Sequence, residues 1–313
     1  MPLDPLVKAF LDRAAQIPRP KPWDAPVALV RQSFAGMMQL TGPKDVAVGK
    51  VDNLTIPGPG GEIRARSYAP IAASGPLPAL IYFHGGGFVA GSLESHDGLC
   101  RLFTAEGGFR VIAIDYRLAP EHTYPAALDD AWAATQWIEQ NATALGVDAG
   151  RIAVGGDSAG GMLAAIVCQL AKEKGGLKIA HQLLMFPNTQ MGAETSSLHE
   201  FAVGYFLERK AIEYFNGLYA PAGVDRNSPR VSPLRAKDFA GLPAAYVMLG
   251  GYDPLHDEGL AYAEKLRAAG VKVTIADYPD MVHCFIYLQT VLPQAHDAVT
   301  KAAKAVRAAL DAA

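Results

Sequence analysis

A chain of 313 residues, half of them hydrophobic and 19% charged, carries enough apolar surface to offset the entropy of ordering it, which excludes wholesale disorder and leaves room for one large α/β domain with an appended subdomain. Lys and Arg total 28 against 31 Asp and Glu, a net charge of −3 with no block of like charge, and this excludes a nucleic-acid partner bound through phosphate neutralisation. Cys100, Cys168 and Cys284 lie too far apart for a disulfide framework or a metal-ligand set, and with no apolar leader and no run of about 20 apolar residues the reading is a cytoplasmic protein without a membrane span.

Leu3, Leu6, Val7, Phe10, Leu11 and Ala14 recur at three- and four-residue steps and predict an amphipathic helix over 3–16. The four prolines of IPRPKPWDAP (17–26) predict an extended connector. A second helix over 29–40 sets Val30, Phe34, Met37 and Met38 on one side, so 1–50 reads as a helical appendage. From residue 51 the period changes to that of strands. VDNLTIP, EIRARSYAP, PALIYFHG and RVIAIDYR are separated by Gly/Pro turns, and RIAVGG (151–156), IAHQLLMFP (179–187), AAYVMLGG (244–251) and VKVTIADYP (271–279) follow. Helices are predicted over 126–141, 159–174, 257–269 and 295–311. Short apolar strands alternating with helices imply an α/β fold built on a mostly parallel sheet of about eight strands, covered on both faces. Residues 188–225 interrupt the rhythm with Phe201, Tyr205, Phe206, Tyr214, Phe215 and Tyr219, too long a stretch for an ordinary loop. This insert and the appendage either form a joint cap over one end of the sheet or pack elsewhere on it. The division is then 1–50 as the N-terminal part of the cap, 51–187 with 226–313 as the main domain, and 188–225 as the cap insert.

Gly156-Asp157-Ser158-Ala159-Gly160 fits G-x-S-x-G between a predicted strand and a predicted helix, the context the motif requires. A serine on so sharp a turn needs glycine two positions to either side, because a Cβ there would collide with strand or helix. Ser158 is the candidate nucleophile, and a bare glycine-rich turn is the alternative. His84-Gly85-Gly86-Gly87-Phe88 follows the strand PALIYF. Three successive glycines after a buried strand cost backbone entropy, and presenting main-chain N–H groups to an oxyanion is a sufficient reason for them. Ala159 N–H, at a helix N-terminus, would be a further donor. In this architecture the acid and then the histidine follow the serine. Asp253 and His283 each follow a strand, where carboxyl ends converge. Asp257, at a helix start, and Asp277 and Asp280, close to His283 in sequence, are the rival acids. His256 reads as structural; His96, His181, His199 and His296 read as surface or packing residues. Asp115, Arg117, Glu121 and His122 read as a brace for the glycine loop or as an acid pair, His84 as the anchor of its own loop, and Asp157 as a bond to backbone.

With HGGGF (84–88), YRLAPEHTYPAALDD (116–130), GDSAGG (156–161), DPLHDEG (253–259) and HCF (283–285), the chain resembles the hormone-sensitive-lipase family of α/β-hydrolases over about residues 50–290. The resemblance implies Ser158 as nucleophile, Asp253 as acid, His283 as base, and Gly85, Gly86, Gly87 and Ala159 as the oxyanion hole. It implies a helical cap over the site, matching 1–50 and 188–225, and it admits a homodimer. Cys284 departs from the glycine of many relatives. The expected function is a serine carboxylesterase acting on small hydrophobic esters of short to medium acyl chain, with no metal or organic cofactor. The expected pocket is lined by Phe88, Phe34, Met37, Met38, Phe201, Tyr205 and Phe206. An amide or peptide hydrolase would use the same triad. A non-catalytic receptor, as the plant gibberellin receptors are, would lack the histidine that His283 supplies.

Overall fold

Continuous apolar runs lie where the sheet is most deeply covered. β3 (Leu77–Phe83) is buried at all seven positions and β6 (His181–Met185) at all five, the pattern of strands shielded on both faces. In the computed structural model, which describes residues 1–17 and 20–313, they join β1 (Lys50–Gly58), β2 (Gly61–Ala69), β4 (Arg110–Asp115), β5 (Val147–Asp157), β7 (Ala244–Tyr252) and β8 (Val273–Val282). These form one eight-stranded sheet of order β1-β2-β4-β3-β5-β6-β7-β8. β2 runs antiparallel to β1 and to β4, and every other pair is parallel. The part of the predicted connector at Pro18 and Arg19 lies outside the described residues.

Two apolar layers flank the sheet. On one face pack α4 (Ala126–Gln140), α5 (Ala159–Lys174) and α8 (His256–Ala268), through residues such as Ile138, Leu163 and Leu266. On the other lie α3 (Leu93–Gly107) and α9 (Pro293–Asp311), joined by Val7 of α1 (Pro5–Ala15) and Met38 of α2 (Val27–Thr41). α3 escapes the sequence pattern because its buried stripe carries Ser95, His96 and Thr104 beside Leu99 and Phe103, which breaks the apolar period. Its start is fixed instead by reciprocal bonds between Ser92 and Ser95. Within the insert two helices form, α6 (Ser196–Glu200) and α7 (Arg209–Tyr219). No described helix is long and apolar enough to cross a membrane.

The appendage is tied down at its start. The Asp4 carboxylate accepts the N–H groups of Leu6 (2.7 Å) and Val7 (3.2 Å), capping α1, while its own N–H donates to the Asp280 carbonyl at 3.0 Å. Further on, the Lys21 ammonium pairs with Glu208 at 2.6 Å and so joins the appendage to the insert.

Between β5 and α5 the chain passes hard against the end of β3. A Cβ on Gly156 would stand 2.3 Å from the Phe83 carbonyl oxygen, and one on Gly160 would stand 1.9 Å from it. Backbone, which cannot step aside, is what it would meet. Gly160→Ala is therefore expected to destabilise the fold by about 3 kcal/mol, the upper range for overpacking. Gly217→Ala, on an exposed stretch of α7 with nothing within 4 Å of the new carbon, is expected to stabilise by about 0.5–1 kcal/mol, the intrinsic preference of a helix for alanine. Denaturant midpoints of the two variants against the parent check both signs.

Candidate active site

Ser158 alone turns the corner between β5 and α5. Its backbone sits at φ 53°, ψ −118°, a region that serine occupies only under constraint. The constraint comes from both sides: Ser158 N–H donates to the Met185 carbonyl at 2.8 Å, and the Ser158 carbonyl accepts Met162 N–H at 3.1 Å. Asp253 and His283 each lie one residue beyond a strand, β7 and β8. His283 Nε2 is 3.1 Å from Ser158 Oγ, and His283 Nδ1 is 2.7 Å from Asp253 Oδ2. The other Asp253 oxygen accepts Leu255 N–H at 2.8 Å. Asp253 is 1% and His283 4% exposed, so water does not compete for these bonds. The edge of Phe186 packs on the imidazole at 5.7 Å between centroids.

The glycine loop faces this row. Gly86, Gly87 and Phe88 have φ of 118°, 63° and 64°, three left-handed residues in succession that only a glycine-rich loop supplies easily. Tyr116 donates its hydroxyl to the His84 carbonyl at 2.6 Å, Ala119 N–H donates to the Phe88 carbonyl at 2.9 Å, and His84 Nδ1 lies 2.8 Å from Gly85 O. Arg31 of α2 adds bonds to the carbonyls of Val89 (2.8 Å) and Ala119 (3.0 Å) while pairing with Glu121. The brace expected from the segment after β4 thus comes from Tyr116 and Ala119. Arg117 instead grips Asp130 through two bonds, at 2.7 and 2.9 Å.

Gly85 stands apart from its neighbours. Its N–H donates to Asp157 Oδ1 at 3.1 Å, and a Cβ there would meet Asp157 Oδ2 at 2.0 Å. This corrects the expected set: the N–H of Gly85 is engaged by a buried carboxylate, whereas Gly86, Gly87 and Ala159 line the cavity in front of Ser158. Asp157 also accepts the hydroxyls of Tyr82 and Tyr287, and His96 Nε2 lies 3.7 Å from it. Burial raises the Asp157 pKa, opposed by the two tyrosine bonds. Burial likewise lowers His84 and His96 to about 3, so both rings are neutral. Sequence reasoning foresaw the bond of Asp157 to backbone but missed the tyrosines, which come from β3 and from the turn after His283.

A cavity of about 510 Å³ opens over Ser158, Ala159 and His283. Of the residues named for a pocket on sequence grounds, Phe34, Met37, Phe88 and Phe206 line it. Three others do not. Met38 is turned into the apolar layer beneath α2, one residue round the helix from Met37. Phe201 and Tyr205 pack on each other and on Tyr252, with centroids 5.2–5.3 Å apart, outside the lining. Trp23, Leu207, Ile212 and Phe215 line it unforeseen. The four-residue period of Ala211 and Phe215 was the available signal.

A family described as alpha/beta hydrolase fold matches residues 80–287. The chain is 44% identical over 265 residues to the esterase LipI of Mycobacterium tuberculosis, covering 83% of this chain and 82% of that protein. It is 40% identical over 230 residues to an ethyl acetate hydrolase of Pseudomonas putida, covering 73% and 72%. Among solved structures it is similar to an ester hydrolase from the metagenome of Lake Arreo, complexed with a bipyridine phosphonate derivative, at 44% identity and a TM-score of 0.95 over 98% of each chain. The chain belongs to the hormone-sensitive-lipase-like family of α/β hydrolases and is a carboxylic ester hydrolase.

Two of the rival carboxylates, Asp257 and Asp277, are engaged elsewhere. Asp257, in the first turn of α8, accepts Ser197 N–H at 2.9 Å and so holds the start of α6. His256 lies between Asp277 (3.6 Å) and Asp257 (3.1 Å), which together raise its pKa to about 9. A raised pKa means the folded state holds this proton more tightly than the unfolded chain, whose histidines titrate near 6.5 (about). The stabilisation is full below that pH and is lost as pH rises through 9. His256→Gln is accordingly expected to lower the denaturant midpoint at pH 6 and to leave it close to the parent at pH 10 (about one unit past the titration). A deficit independent of pH would assign His256 to packing alone.

Proposed function

We propose that Ser158, His283 and Asp253 hydrolyse hydrophobic esters of short to medium acyl chain through an acyl-enzyme. The observation that carries this reading is the unbroken row Asp253 Oδ2–His283 Nδ1 at 2.7 Å and His283 Nε2–Ser158 Oγ at 3.1 Å, opening on a cavity with apolar walls. Asp253 accepts a hydrogen bond from Nδ1–H, which keeps the proton on that nitrogen and leaves Nε2 free to take the proton of Ser158 as its oxygen attacks the ester carbonyl. Gly86, Gly87 and Ala159 offer main-chain N–H groups to the charge that develops on the carbonyl oxygen, and α5 adds the positive end of its dipole. The alcohol departs with the proton held by His283, and water activated by the same ring releases the acid. Residues 1–50 and 188–225 act as a cap. Phe34 and Met37 from the first and Phe206 and Phe215 from the second shelter the acyl chain and keep bulk water from the intermediate.

Ser158→Ala is expected to abolish both turnover and labelling by an organophosphonate. Asp253→Asn should lower kcat by about 10⁴, the scale for losing the carboxylate that orients a triad histidine. Asp257→Asn should cost far less, and a reversed ranking of the two would move the acid. Across p-nitrophenyl esters of increasing acyl length, kcat/KM should rise by up to about fourfold per methylene, equivalent to about 0.8 kcal/mol of burial. It should fall once the cavity is filled. A flat series would remove the cavity from acyl binding.

A further inference from the structure

The two ends of the proposed triad are joined by a carboxyl group that takes no part in the row itself. The segment after β6 is the seat of the nucleophile: Ser158 N–H donates to the Met185 carbonyl at 2.8 Å, Asn188 N–H donates to the Ser158 carbonyl at 3.3 Å, and the Phe186 ring lies against His283. The start of α8 is tied to the acid in turn, because Leu255 N–H donates to Asp253 Oδ1 at 2.8 Å and His256 N–H donates to the Asp253 carbonyl at 3.0 Å. Glu258, in the first turn of α8, connects the two. Its Oε1 accepts the main-chain N–H groups of Thr189 (2.6 Å) and Gln190 (3.2 Å) and an N–H of Asn188 Nδ2 (3.2 Å), and its main-chain carbonyl accepts the Thr189 hydroxyl at 2.7 Å. Glu258 and Thr189 are both buried, so water does not stand in for these bonds.

The row spans these two segments, from Asp253 on one to Ser158 on the other, so a shift of one against the other lengthens a bond within the row. We infer that Glu258 is a positioning residue for the hydrolysis, holding the segment that seats Ser158 against the turn that carries Asp253. The inference rests on the reading of Ser158, His283 and Asp253 as the triad. Misplaced reacting groups slow the chemical step, while binding in the cavity, whose described lining does not include Glu258, is left as it was. An ionised acceptor holds N–H donors about twice as strongly as a neutral one. Burial pushes the Glu258 carboxyl up to about 8, opposed by the N–H bonds from Gln190 and Thr189 and assisted by the charge of Asp253. The clamp therefore tightens as that proton leaves. Of the segments around Glu258, the one after β6 brings no ionisable side chain at 188–190, the turn after β7 brings Asp253, and α8 itself carries His256 and Asp257, with Asp277 of β8 3.6 Å from His256.

The test follows kcat and KM for p-nitrophenyl acetate and butanoate from about pH 6 to about pH 10, corrected for alkaline hydrolysis, in the parent protein and in Glu258→Gln. Glutamine keeps an oxygen for the same three donors and does not ionise. In the parent, kcat is expected to rise by about two- to fivefold through pH 8, beyond the rise that deprotonation of the base gives, with KM unchanged. In Glu258→Gln that step is expected to be absent and kcat to stay at the lower level for both esters, again with KM unchanged. Glu258→Asp, which keeps the charge on a shorter arm, should retain a step at reduced kcat, and His256→Gln should retain it in full. A step that survives in Glu258→Gln, a step that disappears in His256→Gln, or a loss that falls on KM overturns the inference. A parent profile without the step overturns it too, and this arm needs no variant to fold. Failure of an organophosphonate to label Ser158 in the folded parent would overturn the triad reading, a result distinct from labelling without the step.

Discussion

The carboxylate of Asp157 binds three loops to one point, and the geometry of the site hangs on it. It stands next to Ser158 on the elbow, accepts the Gly85 N–H from the glycine loop, and takes the Tyr287 hydroxyl from the turn that follows His283. Tyr82 of β3 supplies a further hydroxyl. The imidazoles nearest to it, His84 and His96, are held neutral by burial. The hydroxyls of Tyr287 and Tyr82 and the Gly85 N–H satisfy its oxygens, and a buried carboxyl group deprived of one of them would be left with an uncompensated lone pair. The separation between Ser158, the glycine loop and His283 is thereby fixed from beneath the elbow.

From above, the fixing is of another kind. The Lys21–Glu208 pair between appendage and insert has a side chain 52% exposed on the lysine side, and an exposed pair contributes little. Arg31 does more, because it reaches past its surface partner Glu121 to the carbonyls of Val89 and Ala119, two groups on either side of the glycine loop. The apolar contacts of Val7 and Met38 with the sheet layer hold the appendage in place. Residues 1–50 are thus anchored at the sheet and at the glycine loop, and they meet the insert through the Phe10–Phe206 rings, 6.2 Å apart, and through Lys210 over Trp23 at 4.6 Å as well as through the Lys21–Glu208 pair.

Much of this was legible in the sequence. The inner strands follow from apolar runs bounded by Gly and Pro, because strands covered on both faces have little choice of composition, while β1, β2 and β8, exposed at several positions, show in the strand period between turns. The elbow and the glycine loop were legible for a related reason: at Gly160, Gly86 and Gly87 the backbone either touches another backbone or takes a left-handed turn, and one residue type serves. What stayed hidden depends on tertiary contact without a local signature. α3 conceals its buried stripe behind Ser95 and His96, Met38 differs from Met37 by one step of helix phase, and the hydroxyls on Asp157 arrive from residues 75 and 130 positions away.

Cys284 shows how the same constraint reaches the residue after His283. It has φ of 54°, a left-handed conformation that glycine adopts freely and that costs an ordinary side chain about 1–2 kcal/mol. The turn is obligatory, because it reverses the chain out of β8 into the short helix Phe285–Tyr287 and so carries Tyr287 back to Asp157. A cysteine is tolerated there since its side chain is 96% buried by the 4% exposure it retains, and burying a small apolar group recovers part of the strain. Burial also pushes the thiol pKa well up, so it stays protonated beside the cavity it lines. The cysteine at 284 therefore borders the cavity as a neutral wall, and the hydroxyl within reach of His283 is that of Ser158.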